Sequence, residues 1–269
     1  MIFYKTDEEI ELIRESCLIV SKTLALVASE IRPGITGLEL DKRAEEFIRD
    51  HQAEPGFKGY RGFPGTLCIS VNEGVVHGIP SKDEFKEGDI VSVDCGAFKN
   101  GFFGDSAYTF ALGDVPDEVE KLMIVTNDSL YKGIDEIKVG AWMGNIGYAV
   151  HEYAEKQNKF GVVRELVGHG IGKDLHEAPE VPNYGRRNSG KKIKLGLVIA
   201  IEPMVNLGTR KVTQAKDGWT IITQDNKVSA HFEHTVAVRK NGPDILTDHS
   251  FIEEAIKNTA NVKEITIKS

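Results

Sequence analysis

The stretch Val91-Ser92-Val93-Asp94-Cys95-Gly96-Ala97-Phe98-Lys99-Asn100-Gly101-Phe102-Phe103-Gly104-Asp105-Ser106-Ala107-Tyr108-Thr109-Phe110 reads as a β-hairpin. Two runs of apolar, β-branched and aromatic residues flank Asn100-Gly101, a pair suited to a type I′ turn because both central residues of that turn need positive φ. With the turn there, Lys99 faces Phe102, Phe98 faces Phe103 and Gly96 faces Asp105. Asp94 then lies diagonally from Asp105. Side chains alternate along a strand, so both carboxylates share one face. They repel unless a positive charge lies between them. From the hairpin alone two accounts stay open: a solvated sheet face, or a divalent cation that neutralises two acids in otherwise apolar strands.

Working outward from the hairpin, the chain before it opens on two capping boxes. Thr6-Asp7-Glu8-Glu9 starts a helix carrying Ile10, Ile13, Cys17, Val20, Leu24 and Val27 at helical spacing, ended by Pro33-Gly34. Thr36-Gly37-Leu38-Glu39 starts a second, with Leu40, Ala44, Phe47 and Ile48 on one face. Pro55 to Gly65 reads as a glycine- and aromatic-rich loop, Leu67 to Val71 as a short strand, and Asn72 to Pro80 as a turn and loop carrying His77.

The chain after the hairpin repeats this plan. Pro116-Asp117 starts a helix, and Ile137 to Gly140 matches Ile31 to Gly34. Ile146, Val150, Tyr153 and Ala154 each lie 106 residues after Leu40, Ala44, Phe47 and Ile48. Gly196 to Glu202 matches Gly88 to Asp94 at an offset of 108, so a strand ending in Asp94 has a counterpart ending in Glu202. Residues 1–269 therefore read as a single domain, with half-repeats at about 5–115 and 116–240 and a peripheral tail over 241–269 with a short helix near Phe251 to Lys257. Trp219 to Gln224 and Val228 to Val238 read as a strand pair around Asp225-Asn226, the second strand carrying His231, Glu233 and His234.

Composition narrows the function. The formal net charge of −8 argues against a general nucleic-acid or anionic-membrane binder, although a local basic patch is compatible with it. Three cysteines without CxxC spacing point to a reducing compartment rather than a disulfide framework. No signal peptide or membrane span is visible, and a cytoplasmic protein is the expectation. Asp94, Asp105, Glu202 and Glu233 each sit in or at the end of an apolar strand that offers no nearby Lys or Arg. Two divalent ions balance four carboxylates, and one imidazole adds a nitrogen ligand; mostly oxygen donors with one histidine suit manganese, cobalt, Fe(II) or zinc. Singly, Asp105 could be a turn residue and His77, His169 and His176 solvated or backbone-driven loop residues. Jointly, with duplicated strand ends, those readings become the poorer account.

Asp94, Asp105 eleven residues on, Gly168-His169-Gly170-Ile171-Gly172 with His176 seven past His169, Ile201-Glu202-Pro203 and His231-Phe232-Glu233-His234-Thr235 resemble the type I methionine aminopeptidases from about Lys5 to Arg239. The resemblance implies an α+β "pita-bread" (creatinase/aminopeptidase) fold, two pseudo-symmetric halves around a curved antiparallel sheet. It implies removal of N-terminal methionine from nascent proteins and peptides when the second residue is small. It also implies two divalent metals on Asp94, Asp105, His169, Glu202 and Glu233: Asp94 chelating one, His169 and Glu202 on the other, Asp105 and Glu233 bridging. Glu202 is further implied as proton shuttle, His176 as donor to the carbonyl oxygen, and His77 as contact to the amide nitrogen or positioner of substrate.

Phe57, Tyr60, Phe63, Cys68 and Trp219 would line the pocket for the first side chain, aromatic and sulfur surfaces that suit a thioether. Phe57 stands where relatives often have a small residue, Phe63 where Tyr is common, and Leu175 where Phe is common; these bear on the pocket's shape and leave the metal chemistry alone. Asn72 and Ser229 resemble a monovalent-cation site built partly from backbone oxygens. Too few residues separate His169 from Glu202 for the insert of the type II enzymes, and nothing polybasic or zinc-binding precedes Lys5, as in the short bacterial form. A monomer fits the family, and ribosome association follows from its role alone. Three rivals remain: an Xaa-Pro peptidase, which normally has an extra N-terminal domain; a binding protein on the same fold, which would be expected to lose ligands; and a structural metal protein, against which His77 and His176 argue.

Overall fold

The computed structural model describes residues 1–265; the last four residues of the expected tail, 266–269, lie outside them. The first half runs α1 (Asp7–Glu30), α2 (Gly37–Asp50), β1 (Glu54–Pro55), β2 (Leu67–Val71), β3 (Gly74–Val76), β4 (Ile90–Lys99) and β5 (Phe102–Ala111). The second runs α3 (Asp117–Ile134), α4 (Met143–His151), β6 (Gly161–Val162), β7 (Gly168–Gly170), β8 (Glu177–Val181), β9 (Val198–Ile201), β10 (Met204–Asn206), β11 (Val212–Gln214), β12 (Ile221–Thr223), β13 (Ser229–His231) and β14 (His234–Arg239). β15 (Gly242–Ile245) and α5 (Ser250–Lys257) follow. All pairings between these strands are antiparallel.

Both capping boxes form, with Thr6 and Glu9, then Thr36 and Glu39, satisfying each other's backbone N–H groups. The central hairpin has the expected register: Lys99 opposite Phe102, Gly96 opposite Asp105, and Asp94 opposite Ala107. Asn100 and Gly101 have φ of 51° and 84°, as a type I′ turn requires. Two glycines let other elements approach this hairpin. A Cβ on Gly96 would enter the Phe57 ring, and one on Gly104 would strike the α1 backbone at Ser16 and Cys17. The halves meet where β5 lies against the turn between β13 and β14, with Glu233 N donating to Ala107 O at 3.0 Å.

That turn follows from the sequence. Pro203 has no N–H to give, so β9 and β10 are separate segments and their partners break at the same level: Ile201 pairs with His234, and Met204 with His231. The two breaks hold Glu202 and Glu233 on facing segments. The run Val228 to Val238 is therefore two strands on different partners, not one strand paired with Trp219 to Gln224. β12 pairs instead with β11 and β3. The hairpin turn lies at Asp217-Gly218, where Gly218 has φ of 80° and Asp217 Oδ1 accepts from Trp219 N and Thr220 N. Asp225-Asn226 merely redirects the chain. Two further differences are local: the expected 72–80 loop contains β3, and α4 widens into a π-helical turn at Glu152–Gln157.

Residues 242–257 are integrated into the body. β15 pairs with β14, α5 packs on α1 with Ile252 and Ile256 buried, and His249 is 3% exposed.

Candidate metal centre

Asp94 projects from the middle of β4, Asp105 from β5, His169 from β7, Glu202 from the break after β9, and Glu233 from the break before β14. All five line one cavity of about 130 Å³. Asp105 and Glu233 are 3% and 2% exposed. One ligand atom each from Asp105, His169 and Glu233 lies within 4.8 Å of the others. His169 Nε2 is 3.7 Å from Asp105 Oδ2 and 3.6 Å from Glu202 Oε1.

The electrostatics of this cluster are unfavourable as it stands. Burial raises the Asp94 pKa to about 7. Burial, then the charges of Glu233 and Asp94, drives Asp105 well above the usual carboxylate range. Burial and the neighbouring acids do the same to Glu202 and Glu233. Burial lowers His169 to about 4, so its ring is neutral. Its Nδ1 lies 2.9 Å from the Gly170 carbonyl, which can only accept, so Nδ1 carries the hydrogen and Nε2 a lone pair. That lone pair faces the oxygens of Asp105 and Glu202. Asp94 Oδ1, Asp105 Oδ1 and Glu233 Oε1 are buried without a hydrogen-bond partner. Lone pairs turned on one another in a low-dielectric cavity fit a cation among them. The donor chemistry therefore fits divalent metal.

The walls are built by the loop after α2. Asp41 Oδ1 accepts from Thr66 N and Leu67 N at 2.7 and 2.8 Å, pinning the loop's end. Left-handed Gly59, Arg61 and Gly62 wind it into one tight turn, so that Phe57, Tyr60 and Phe63 face the cavity. Trp219 meets Phe63 edge-on at 5.2 Å, and Cys68 sits opposite Asp94 on β2. His77 lines the cavity with φ of 58°, and burial lowers its pKa. His176 sits at the mouth, stacked on Tyr60 at 5.3 Å, with Nδ1 3.0 Å from the Tyr60 hydroxyl. Burial of its inner side, with His169, Arg61 and His77 near, lowers it to about 3.

Every residue singled out from sequence for metal, catalysis or the first side chain thus faces this cavity. Sequence reading missed Arg61, which also lines it; an exposed cation between two turn glycines carried no signal. Asn72 and Ser229 are adjacent, with Ser229 N donating to Asn72 O at 2.9 Å. Their side-chain oxygens are already engaged, Asn72 Oδ1 by Ile90 N and Ser229 Oγ by Asn206 Oδ1.

Residues 11–240 match the model of metallopeptidase family M24. The chain is 51% identical over 247 residues to the methionine aminopeptidase of Clostridium perfringens, covering 92% of this chain and 99% of that one. The crystal structure of methionine aminopeptidase from Rickettsia prowazekii superposes with a TM-score of 0.90 at 39% identity, over 92% of this chain and 100% of that one. The prolidase from Pyrococcus furiosus shares the fold alone: TM-score 0.72, 23% identity, 91% of this chain against 65% of that one.

Proposed function

Because the chain belongs to metallopeptidase family M24, among the bacterial-type methionine aminopeptidases, we propose that Asp94, Asp105, His169, Glu202 and Glu233 hold two divalent cations at the centre of its pita-bread fold. The protein is a metal-dependent aminopeptidase that removes N-terminal methionine when the next residue is small. The observation that carries the ligand assignment is the neutral His169 Nε2 facing two carboxylates at 3.6 and 3.7 Å beside unpartnered buried oxygens.

When bound, the cations would supply Lewis acidity toward the scissile carbonyl, an acidified water and an anchor for the substrate's free α-amine. The chain's own residues do the rest. Asp94, Asp105 and Glu233 supply the negative charge. Glu202 moves the proton between the attacking water and the departing amide nitrogen. His176 Nδ1 lies 3.0 Å from the Tyr60 hydroxyl; in the tautomer in which that hydroxyl donates to Nδ1, Nε2–H would donate to the carbonyl oxygen as it becomes anionic. His77 positions the amide. Phe57, Tyr60, Phe63, Cys68 and Trp219 enclose the thioether and exclude water from it.

Manganese, cobalt, Fe(II) and zinc all suit the donor set. A monovalent cation near Asn72 and Ser229 would have to use backbone carbonyls. Among the described residues no helix is long and apolar enough to cross a membrane. A monomer in the cytoplasm, meeting nascent chains at the ribosome, is the setting this activity suits. The test is release of methionine from Met-Ala-Ser by metal-stripped protein titrated with each metal. Metal-dependent release of Met, with Leu- and Pro-initiated peptides resistant, is expected; preference for another first residue rejects the reading.

A further inference from the structure

We propose that His249, in the C-terminal segment, is a positioning residue that holds Asp105 and Glu233 for metal through Ser106; the inference rests on the ligand assignment above. Asp105 and Glu233 come from segments laced together by short bonds. Ser106 Oγ donates to Glu233 O at 2.6 Å, and Thr235 Oγ1 to Asp105 O at 2.8 Å. Thr109 Oγ1 donates to His231 O at 2.7 Å and accepts from His231 N at 2.9 Å. Alternation along β5 turns Ser106 to the face opposite Asp105, so this lacing lies behind the cavity.

A hydroxyl has one hydrogen, and a carbonyl oxygen can only accept. Ser106 therefore gives its hydrogen to Glu233 O, and its 3.0 Å contact with His249 Nε2 must run the other way, with Nε2–H donating. His249 Nδ1 is a buried atom without a partner, so nothing accepts a second hydrogen there, and the ring is neutral with its lone pair on Nδ1. Burial lowers its pKa to about 3, in agreement. A buried ring with one orphaned nitrogen is costly, and what it provides in return is a single donor that fixes the Ser106 rotamer on Glu233.

The ring is itself held in place. Its centroid lies 3.8 Å from that of His234 with the rings tilted by 30°, and it meets Tyr108 edge-on at 5.2 Å. His234 is fixed by Tyr131 Oη at 2.8 Å and Thr247 Oγ1 at 2.6 Å, and Leu246 N donates to Thr235 O at 2.9 Å. Residues 246–249 thus grip Glu233 to Thr235 from behind, while the carboxylates face the metals.

The experiment titrates metal-free full-length protein with Mn(II) by calorimetry and measures kcat and KM on Met-Ala-Ser. Wild-type protein is compared with His249→Leu, which keeps bulk without a donor, His249→Gln, whose amide N–H can take the place of Nε2–H, and Ser106→Ala. We expect His249→Leu and Ser106→Ala to weaken Mn(II) binding by about 10–100-fold, the usual effect of losing an outer hydrogen-bond partner of a metal ligand. kcat should fall at saturating metal with KM little changed, and His249→Gln should recover most of the loss. Wild-type Mn(II) affinity in His249→Leu, or equal losses in Leu and Gln, overturns the role. If His249→Leu does not fold, wild-type affinity in Ser106→Ala overturns it. Wild-type protein that binds no Mn(II) sinks the ligand assignment itself, and this inference with it.

Discussion

His176 and His169 lie with ring centroids 4.2 Å apart, yet their expected roles differ. His169 has its hydrogen on Nδ1 and a lone pair toward the acids, which suits it to the proposed ligand role. His176 is held at Nδ1 by the Tyr60 hydroxyl and faces no carboxylate at that contact, and the tautomer with hydrogen on Nε2 suits it to donate. His176→Ala should therefore lower kcat on Met-Ala-Ser by roughly 10²–10³-fold, the usual loss when one donor to a developing oxyanion is removed. Metal bound per chain should stay nearly constant; equal loss of metal would refute the division. Asp105→Asn should do the opposite, abolishing metal binding measured by calorimetry while leaving a folded chain. The pocket is tuned at the same scale. Phe57 lies against Gly96, so Phe57→Cys should widen the first pocket and raise kcat/KM for bulkier first residues relative to Met.

At the scale of elements, the central hairpin is fixed from two sides, by its Asn100-Gly101 turn and by α1 seated on Gly104. Gly104→Ala would push a methyl group into the α1 backbone. It should cost about 1–3 kcal/mol, as overpacking does, read as a lower denaturant midpoint without change of slope. The hairpin, both capping boxes and the duplicated halves were legible because each depends on local rules: positive φ at Asn-Gly, reciprocal caps, alternation, helical spacing. The strands after Glu202 were not. There Asp225-Asn226 competed with Asp217-Gly218 for the turn, and short runs with similar patterns left partner choice to tertiary packing. Pro203 was the available signal that β9 and β10 must part, and that their partners must part opposite them. The four acids of the proposed site could be picked out because buried acids without cations are rare, and His169 came through the family resemblance. Ser106 and His249 could not, since a serine after an aspartate and a histidine in a tail carry no pattern until the fold brings them together.

For the whole molecule, the centre ties folding to metal and pH. In metal-free protein the four acids have folded pKa values above their unfolded values, so the native state binds more protons than the unfolded chain between the two. Stability is then lost as pH rises from about 4 through the raised values, which include about 7 at Asp94. Metal replaces those protons and removes the loss. On the acid side, His231 and His249, both lowered to about 3, resist charging, so both forms lose stability as pH falls below about 6.5. The difference in melting temperature between metal-loaded and metal-free protein should therefore widen from pH 5 to pH 8; a constant difference would contradict the coupling. The central claim is that acids from separate strands and one imidazole form a single site for two cations. Calorimetric titration of metal-free protein with Mn(II), with methionine release from Met-Ala-Ser followed on the same samples, tests it most directly. Two cations per chain, with release appearing as the site fills and vanishing in Asp105→Asn, is the predicted result; release that is independent of metal, or binding that survives Asp105→Asn, would contradict it.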